Sequence, residues 1–141
     1  MTKEEKRWQE EFNDRKLASG GWYGCIVNDG WKEIVLECDA MLSYMDPNYK
    51  IQQVKEKFGT LRYYFDTEIE YGTIERNIMD AIVRSAESRS ASTCEACGKF
   101  GQLRTDRYYV QTLCDSCEAE VVEAYAKRKA EAEAERAKRE S

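Results

Sequence analysis

Two cysteine pairs, Cys94-Glu95-Ala96-Cys97 and Cys114-Asp115-Ser116-Cys117, stand sixteen residues apart and constrain this chain more than any other feature. Each pair can bring two sulfurs onto one ion from a single tight turn, and the spacing matches a tetrahedral four-thiolate zinc site. Four protein thiolates close the coordination shell and leave no position for water or substrate. One structural Zn2+ on Cys94, Cys97, Cys114 and Cys117 is therefore expected. Two disulfides would need an oxidising compartment, whereas the opening Met1-Thr2-Lys3-Glu4-Glu5 lacks an apolar signal segment, so a cytoplasmic protein is expected. A redox CxxC belongs to a strand–helix unit that the flanking pattern does not match. Iron–sulfur clusters use other spacings. In zinc-finger peptides such binding carries on the order of 10–16 kcal/mol, enough to fold a segment too small for its own core.

The residues around the pairs refine the type of finger. Gly98 follows the first pair, where a positive φ would turn backbone amides toward the sulfurs. Gln102 to Thr105 and Tyr108 to Leu113 read as short strands joined by a turn at Thr105-Asp106-Arg107. Glu118 to Tyr125 reads as helix directly after the second pair. Knuckle, hairpin and then ligands in the first turn of a helix resemble a treble-clef zinc finger. Treble-clef nucleases of the HNH class need histidine, and this chain has none.

The missing histidine also removes Ser–His and Cys–His dyads and histidine-ligated catalytic metals. No Gly-rich phosphate loop is present. A non-enzyme is expected. Net charge is −5, and four thiolates around a divalent ion add about −2. Such a chain is a poor general binder of nucleic acid, which rewards cationic phosphate contacts. No apolar run reaches the length of a membrane helix.

The 141 residues divide into an N-terminal helix (1–21), a core (22–92), the finger (93–125) and a charged tail (126–141). Residues 2 to 17 read as a helix, with Thr2 and Glu5 in capping-box positions and Ser19-Gly20-Gly21 at its end. Trp8 and Phe12 lie one turn apart on it and suit either a core or a homo-oligomer interface. Asp29-Gly30 introduces an amphipathic helix to Met45, with Trp31, Ile34, Val35, Cys38, Met41, Leu42 and Met45 on one stripe. Cys25 and Cys38 read as buried thiols. Tyr49 to Asp66 reads as a β-hairpin, in which Leu61, Tyr63 and Phe65 alternate with Arg62, Tyr64 and Asp66 after a turn at Lys57-Phe58-Gly59-Thr60. A third helix over Thr73 to Arg89 carries Ile74, Ile78, Ala81, Ile82 and Ser85 as its buried face. The tail's apolar residues after Tyr125 are all alanines, so a projecting solvated helix is expected, supported by Glu123–Lys127 and Glu135–Arg139 pairs. The fold class is α+β: helices around a small β-hairpin, a treble-clef-like four-cysteine zinc finger and a projecting C-terminal helix.

The run Lys55-Glu56-Lys57-Phe58-Gly59-Thr60-Leu61-Arg62-Tyr63-Tyr64 resembles a K-x-K-F-G-x-L-R-F/Y-Y signature of small proteins from phages, prophages and bacteria. In those chains, as here at Gly30-Trp31, a Gly-Trp helix precedes the signature. An R-S-x-x-T-C-x-x-C-G junction follows it, matched by Arg89-Ser90 through Thr93-Cys94 to Cys97-Gly98, and the T-L-C-x-x-C close matches Thr112 to Cys117. The resemblance covers residues 29 to 118. It implies a phage-like source and the cytoplasm of a bacterial host, and it carries no activity.

Between Tyr49 and Phe65, Lys50, Lys55, Lys57 and Arg62 stand against the single acid Glu56, interleaved with Tyr49, Phe58, Tyr63, Tyr64 and Phe65. Cations pair with phosphate and aromatic faces stack on bases. Lys55, Lys57, Arg62 and Tyr64 are the candidate ligand-binding residues, with Gly20-Gly21-Trp22-Tyr23-Gly24 a candidate loop over them. The plainer reading packs Leu61, Tyr63 and Phe65 inward and leaves the cations to solvate the outer face. The expected function is a non-catalytic zinc-binding protein that holds an anionic ligand such as a nucleotide signal, or that blocks a host defence protein. A nucleic-acid-binding zinc-finger regulator and a protein–protein adaptor built on the finger and tail are the alternatives.

Overall fold

The alternation Leu61-Arg62-Tyr63-Tyr64-Phe65 places three apolar side chains on one side of an extended segment, and the molecule is assembled on that side. The computed structural model describes residues 7–21 and 23–140. In order, the elements are α1 (Trp8–Lys16), β1 (Gly24–Cys25), a 3-10 turn (Asp29–Trp31), α2 (Lys32–Met45), β2 (Lys50–Lys57), β3 (Thr60–Asp66), α3 (Ile74–Ser90), β4 (Gln102–Arg104), β5 (Gln111–Leu113) and α4 (Asp115–Glu140). This is the α+β arrangement that the pattern predicts.

β2 and β3 form the expected antiparallel hairpin, with Lys57 opposite Thr60, so Phe58 and Gly59 alone make the turn. Both have positive φ, 53° and 83°, as a two-residue hairpin turn of matching twist requires. Glycine adopts this conformation freely, whereas Phe58 is strained there. The Glu56 carboxylate accepts the Gly59 N–H at 2.6 Å and holds the turn. A register shift between Ile51 and Gln53 lets both Ile51 and Val54 face the core. β1 pairs in parallel along the other edge of β2, with Gly24 opposite Gln53. The sequence reads Gly20 to Gly24 as a candidate loop or a plain connector and gives no sign of a strand there, because two residues carry no periodicity.

Phe12 from α1, Trp31, Ile34, Val35 and Leu42 from the α2 region, and Met79 from α3 share one core with Ile51, Val54, Leu61 and Tyr63. Phe12 is 1% exposed and touches Tyr63, with ring centroids 6.5 Å apart. That ring belongs to the core. The capping-box residues Thr2 and Glu5 lie outside the described residues. Met41, expected on the buried stripe of α2, is exposed, while Met45 packs partly against the core.

The face predicted for α3 is the wrong one. Ile74, Ile78, Ala81 and Ser85 are exposed and only Ile82 packs partly inward. The buried side is Arg76, Met79, Val83, Ala86 and Ser90. The cause is the open edge of β3. Ser90 Oγ accepts the Leu61 N–H at 2.8 Å and Glu87 accepts that of Tyr63 at 3.1 Å. Bringing those two acceptors to the strand rotates the helix, satisfies amides that an edge strand would leave unpaired, and blocks the edge. Thr73 caps the helix, accepting the Arg76 N–H at 3.1 Å.

A polar knot lies inside the core. Asp39, 6% exposed, accepts the Tyr49 hydroxyl at 2.5 Å, and the Tyr49 and Tyr63 hydroxyls are 2.7 Å apart. Arg15 reaches the other Asp39 oxygen at 3.4 Å. Burial drives both phenols well above their usual range, so they stay neutral donors. Replacing Asp39 by Ala leaves the Tyr49 hydroxyl without its acceptor and is expected to cost about 2 kcal/mol of stability in urea titrations. Asp39→Asn, which keeps an acceptor, is expected to lose less.

Candidate metal centre and the exposed sheet face

The first cysteine pair sits in a tight backbone turn. Gly98 N–H donates to the Cys94 carbonyl at 2.9 Å, Cys94 N–H donates to the Lys99 carbonyl at 2.7 Å, and Gly98 has the expected positive φ, 84°. The second pair arrives from β5, with Cys114 just ahead of α4 and Cys117 in its first turn. The four Sγ atoms all lie within 4.8 Å of one another, and those of Cys97 and Cys114 are 3.6 Å apart. A tetrahedron of metal–sulfur bonds has edges of about 3.8 Å. The cluster can therefore hold one metal ion, and its donor set is compatible with zinc.

Cys94 lies at the buried end of the cluster and Cys97 at the exposed end. Burial opposes charge on Cys94, but N–H groups of Cys114, Cys97 and Ala96 outweigh it and bring the thiol down to about 7. Metal ligation would need the thiolate, which these N–H groups favour. Cys25 and Cys38 show the reverse. Burial pushes them up to about 11 and about 12, and both belong to the core. They are the buried thiols that the sequence suggests.

The finger is joined to the core through backbone on two sides. From the 3-10 turn, Gly30 N–H donates to the Glu95 carbonyl at 2.9 Å and Trp31 Nε1 to the Thr93 carbonyl at 2.9 Å. A Cβ at Gly30 would overlap the Cys94 carbonyl oxygen and the Glu95 backbone. From the hairpin, the Gly59 carbonyl accepts Thr112 Oγ1 at 2.6 Å, and Glu56 accepts the Tyr109 hydroxyl at 2.8 Å. A Cβ at Gly59 would run into Leu103 and lie 3.0 Å from Thr112 Oγ1. Glu95, 3% exposed, sits between these contacts. Burial raises its carboxyl above the usual range, partly offset by Gln111 Nε2 at 2.7 Å.

β4 and β5 are shorter than predicted, and residues 105–110 form a longer connection than the expected three-residue turn. Arg107 accounts for it by turning back to Glu118 on α4, 2.5 Å away. Arg104 likewise ties the Leu113 carbonyl and Asp115, at 2.9 and 2.8 Å. From there α4 runs unbroken through residue 125, buries no residue, and carries the expected Glu135–Arg139 pair at 3.1 Å. Glu123 and Lys127 form no ion pair among the described residues.

The pairings Gln53–Tyr64, Lys55–Arg62 and Lys57–Thr60 bring all four candidate ligand residues to one face of the hairpin, opposite the core. Leu61 and Tyr63 are buried on the other face and Phe65 packs partly there, as the plainer reading also requires. Lys55, Lys57 and Arg62 make no ion pair among the described residues. Arg62 Nη1 only donates to Thr60 Oγ1, at 3.1 Å, and to its neighbour's carbonyl on Leu61, at 3.4 Å. The acid on this face is Asp66, one level beyond Tyr64, where it accepts from Gln52 Nε2. Tyr64 is 45% exposed and Phe58, which the candidate set omits, is 71% exposed with Lys57 Nζ 5.9 Å from its ring centre. Of the candidate loop, Tyr23 is exposed and Trp22 lies outside the described residues.

No family model, curated protein or solved structure matches the chain. No helix among the described residues is long and apolar enough to cross a membrane. The docking contact gives a direct prediction. Gly30→Ala sets a methyl against backbone that cannot yield and is expected to cost about 2 kcal/mol or more in denaturant titrations. Metal content measured in parallel should be unchanged, because all four cysteines remain.

Proposed function

We propose that this chain is a non-catalytic zinc-binding protein whose hairpin face holds an anionic ligand such as a nucleotide. The observation that carries the reading is the set of three cations, Lys55, Lys57 and Arg62, without acidic partners among the described residues and beside the exposed ring of Tyr64. Cations needed only for solubility are ordinarily interspersed with acids, and this protein has 27 Asp and Glu to supply them. Arg62 offers a planar fork suited to a phosphate, Lys55 and Lys57 offer point charges, and Tyr64 offers a face for a base.

The four-thiolate cluster supports zinc in a treble-clef-like finger, where Cys94, Cys97, Cys114 and Cys117 would fill its shell. A bound ion there supplies a cross-link and no chemistry. The finger's Thr112 and Tyr109 hold the tip of the hairpin, so the metal would keep the ligand face in shape. The resemblance to phage and bacterial proteins suits a purpose in which a host nucleotide signal is withheld from its receptor. Blockade of a host defence protein by the same face is the competing purpose.

Native mass spectrometry of the tagged protein drawn from bacterial lysate, followed by denaturing release, tests the reading. One zinc per chain and a released nucleotide-sized mass are expected. Arg62→Ala and Lys57→Ala should lose the small molecule and keep the zinc. A zinc-bound chain that carries no small molecule, or variants that retain it, would contradict the reading.

A further inference from the structure

The hairpin face is a row, not a pocket. Its levels are Gln53 with Tyr64, then Lys55 with Arg62, then Lys57 with Thr60, and beyond them Phe58 at the tip. Each level lies two residues from the next, so Tyr64 and Phe58 stand roughly 17 Å apart along the strands. The depression at one end, lined by Gln52, Gln53, Lys55 and Tyr64, has a volume of about 380 Å³ and does not extend along the row. A mononucleotide there would meet one aromatic ring and one level of cations. Phe58 and Lys57 would go unused.

Phe58 is the second observation. A phenylalanine at a φ of 53° is strained, and 71% exposure returns little burial in compensation. Its backbone conformation serves the turn, which Asn or Gly would make more easily. What phenylalanine adds is an aromatic face at the end of the cationic row. Aromatic rings at both ends with cations between them match the stacking-and-funnel arrangement that takes single-stranded nucleic acid. A duplex hides its base faces and would leave both rings without a partner.

We propose that this face is a platform for a short single strand of nucleic acid. Its bases stack on Tyr64 and Phe58, and its phosphates follow Lys55, Arg62 and Lys57. The proposal rests on the anionic-ligand reading of the same residues and narrows it from a nucleotide to a strand. The overall charge of −5 does not prevent this: Asp66, the acid one level beyond Tyr64 on this face, is bonded to Gln52, and fields from acids farther off are screened over about 8 Å at physiological salt.

Calorimetric titration of the full-length, zinc-loaded protein with hexathymidylate, hexauridylate and thymidine monophosphate separates the two levels of the claim. At least one hexamer is expected to bind tenfold or more tightly than the monophosphate, and comparing the two hexamers tells DNA from RNA. Three neutralised phosphates predict that log K falls with log salt at a slope of about −2. Tyr64→Ala and Phe58→Asn should each weaken the hexamer about tenfold, with thermal unfolding confirming that the exposed substitutions leave the fold intact. A monophosphate that binds as tightly as both hexamers overturns the strand and leaves the anionic-ligand reading standing. Hexamer binding that ignores both aromatic substitutions overturns the platform. If neither hexamer binds, the strand falls, and the released-mass experiment decides the anionic-ligand reading separately.

Discussion

The contact on which the rest of this molecule depends is backbone against backbone, between Gly30 and the Cys94-Glu95 peptide. The Gly30 N–H bonds to the Glu95 carbonyl, and no Cβ fits between the two segments. Next to it the Trp31 indole, fully buried, donates to Thr93 and starts α2. One turn of chain thus fixes the cysteine knuckle on one side and the first large residue of the core on the other. A finger held this way is part of the fold. Its own β4–β5 pair spans only three residues per strand, too little to stand alone in water. The core contacts, and a metal on the four cysteines as proposed, supply what the strands lack.

The same economy appears at the hairpin. Its tip rests on Thr112 through the Gly59 carbonyl, its β3 edge is closed by Ser90 and Glu87, and its inner face is buried by the helices. Of its surfaces, the outer face is left with exposed rings and with cations that form no ion pair among the described residues. Each closed surface satisfies backbone groups or buries apolar area, which folding requires. The outer face does neither, and Phe58 is strained besides. Features that folding does not explain are the ones for which a ligand is the economical explanation.

Some of this was legible in the chain and some was not, for definite reasons. The four cysteines were readable because each pair is local and metal geometry fixes the spacing. The hairpin was readable because Leu61 to Phe65 alternate and Gly59 marks the turn. For α3, Ile74-Ile78-Ala81-Ile82-Ser85 forms an apolar stripe next to Met79-Val83-Ala86, and periodicity alone cannot choose between neighbouring stripes. The choice was made by Ser90 and Glu87 reaching β3, a tertiary hydrogen-bond demand with no local signature. The Asp39–Tyr49–Tyr63 knot was invisible for the same reason, since its members are scattered along the chain. Phe58 was in plain view, but its strain appears only once the register is known.

Amide hydrogen exchange with and without added zinc tests the central claim most directly, namely that the finger and the hairpin with its proposed ligand face are one structural unit. Chelation is expected to remove protection from the finger and also from Gly59, from the Thr60 and Leu61 end of β3, and from Gly30 and Trp31. Those amides lie in segments that depend on contacts with Thr112, Glu95 and Thr93. Loss of protection confined to residues 93–117, with the hairpin tip and the Gly-Trp turn unchanged, would contradict it. The finger would then be an appendage, and the metal would have no part in shaping the face.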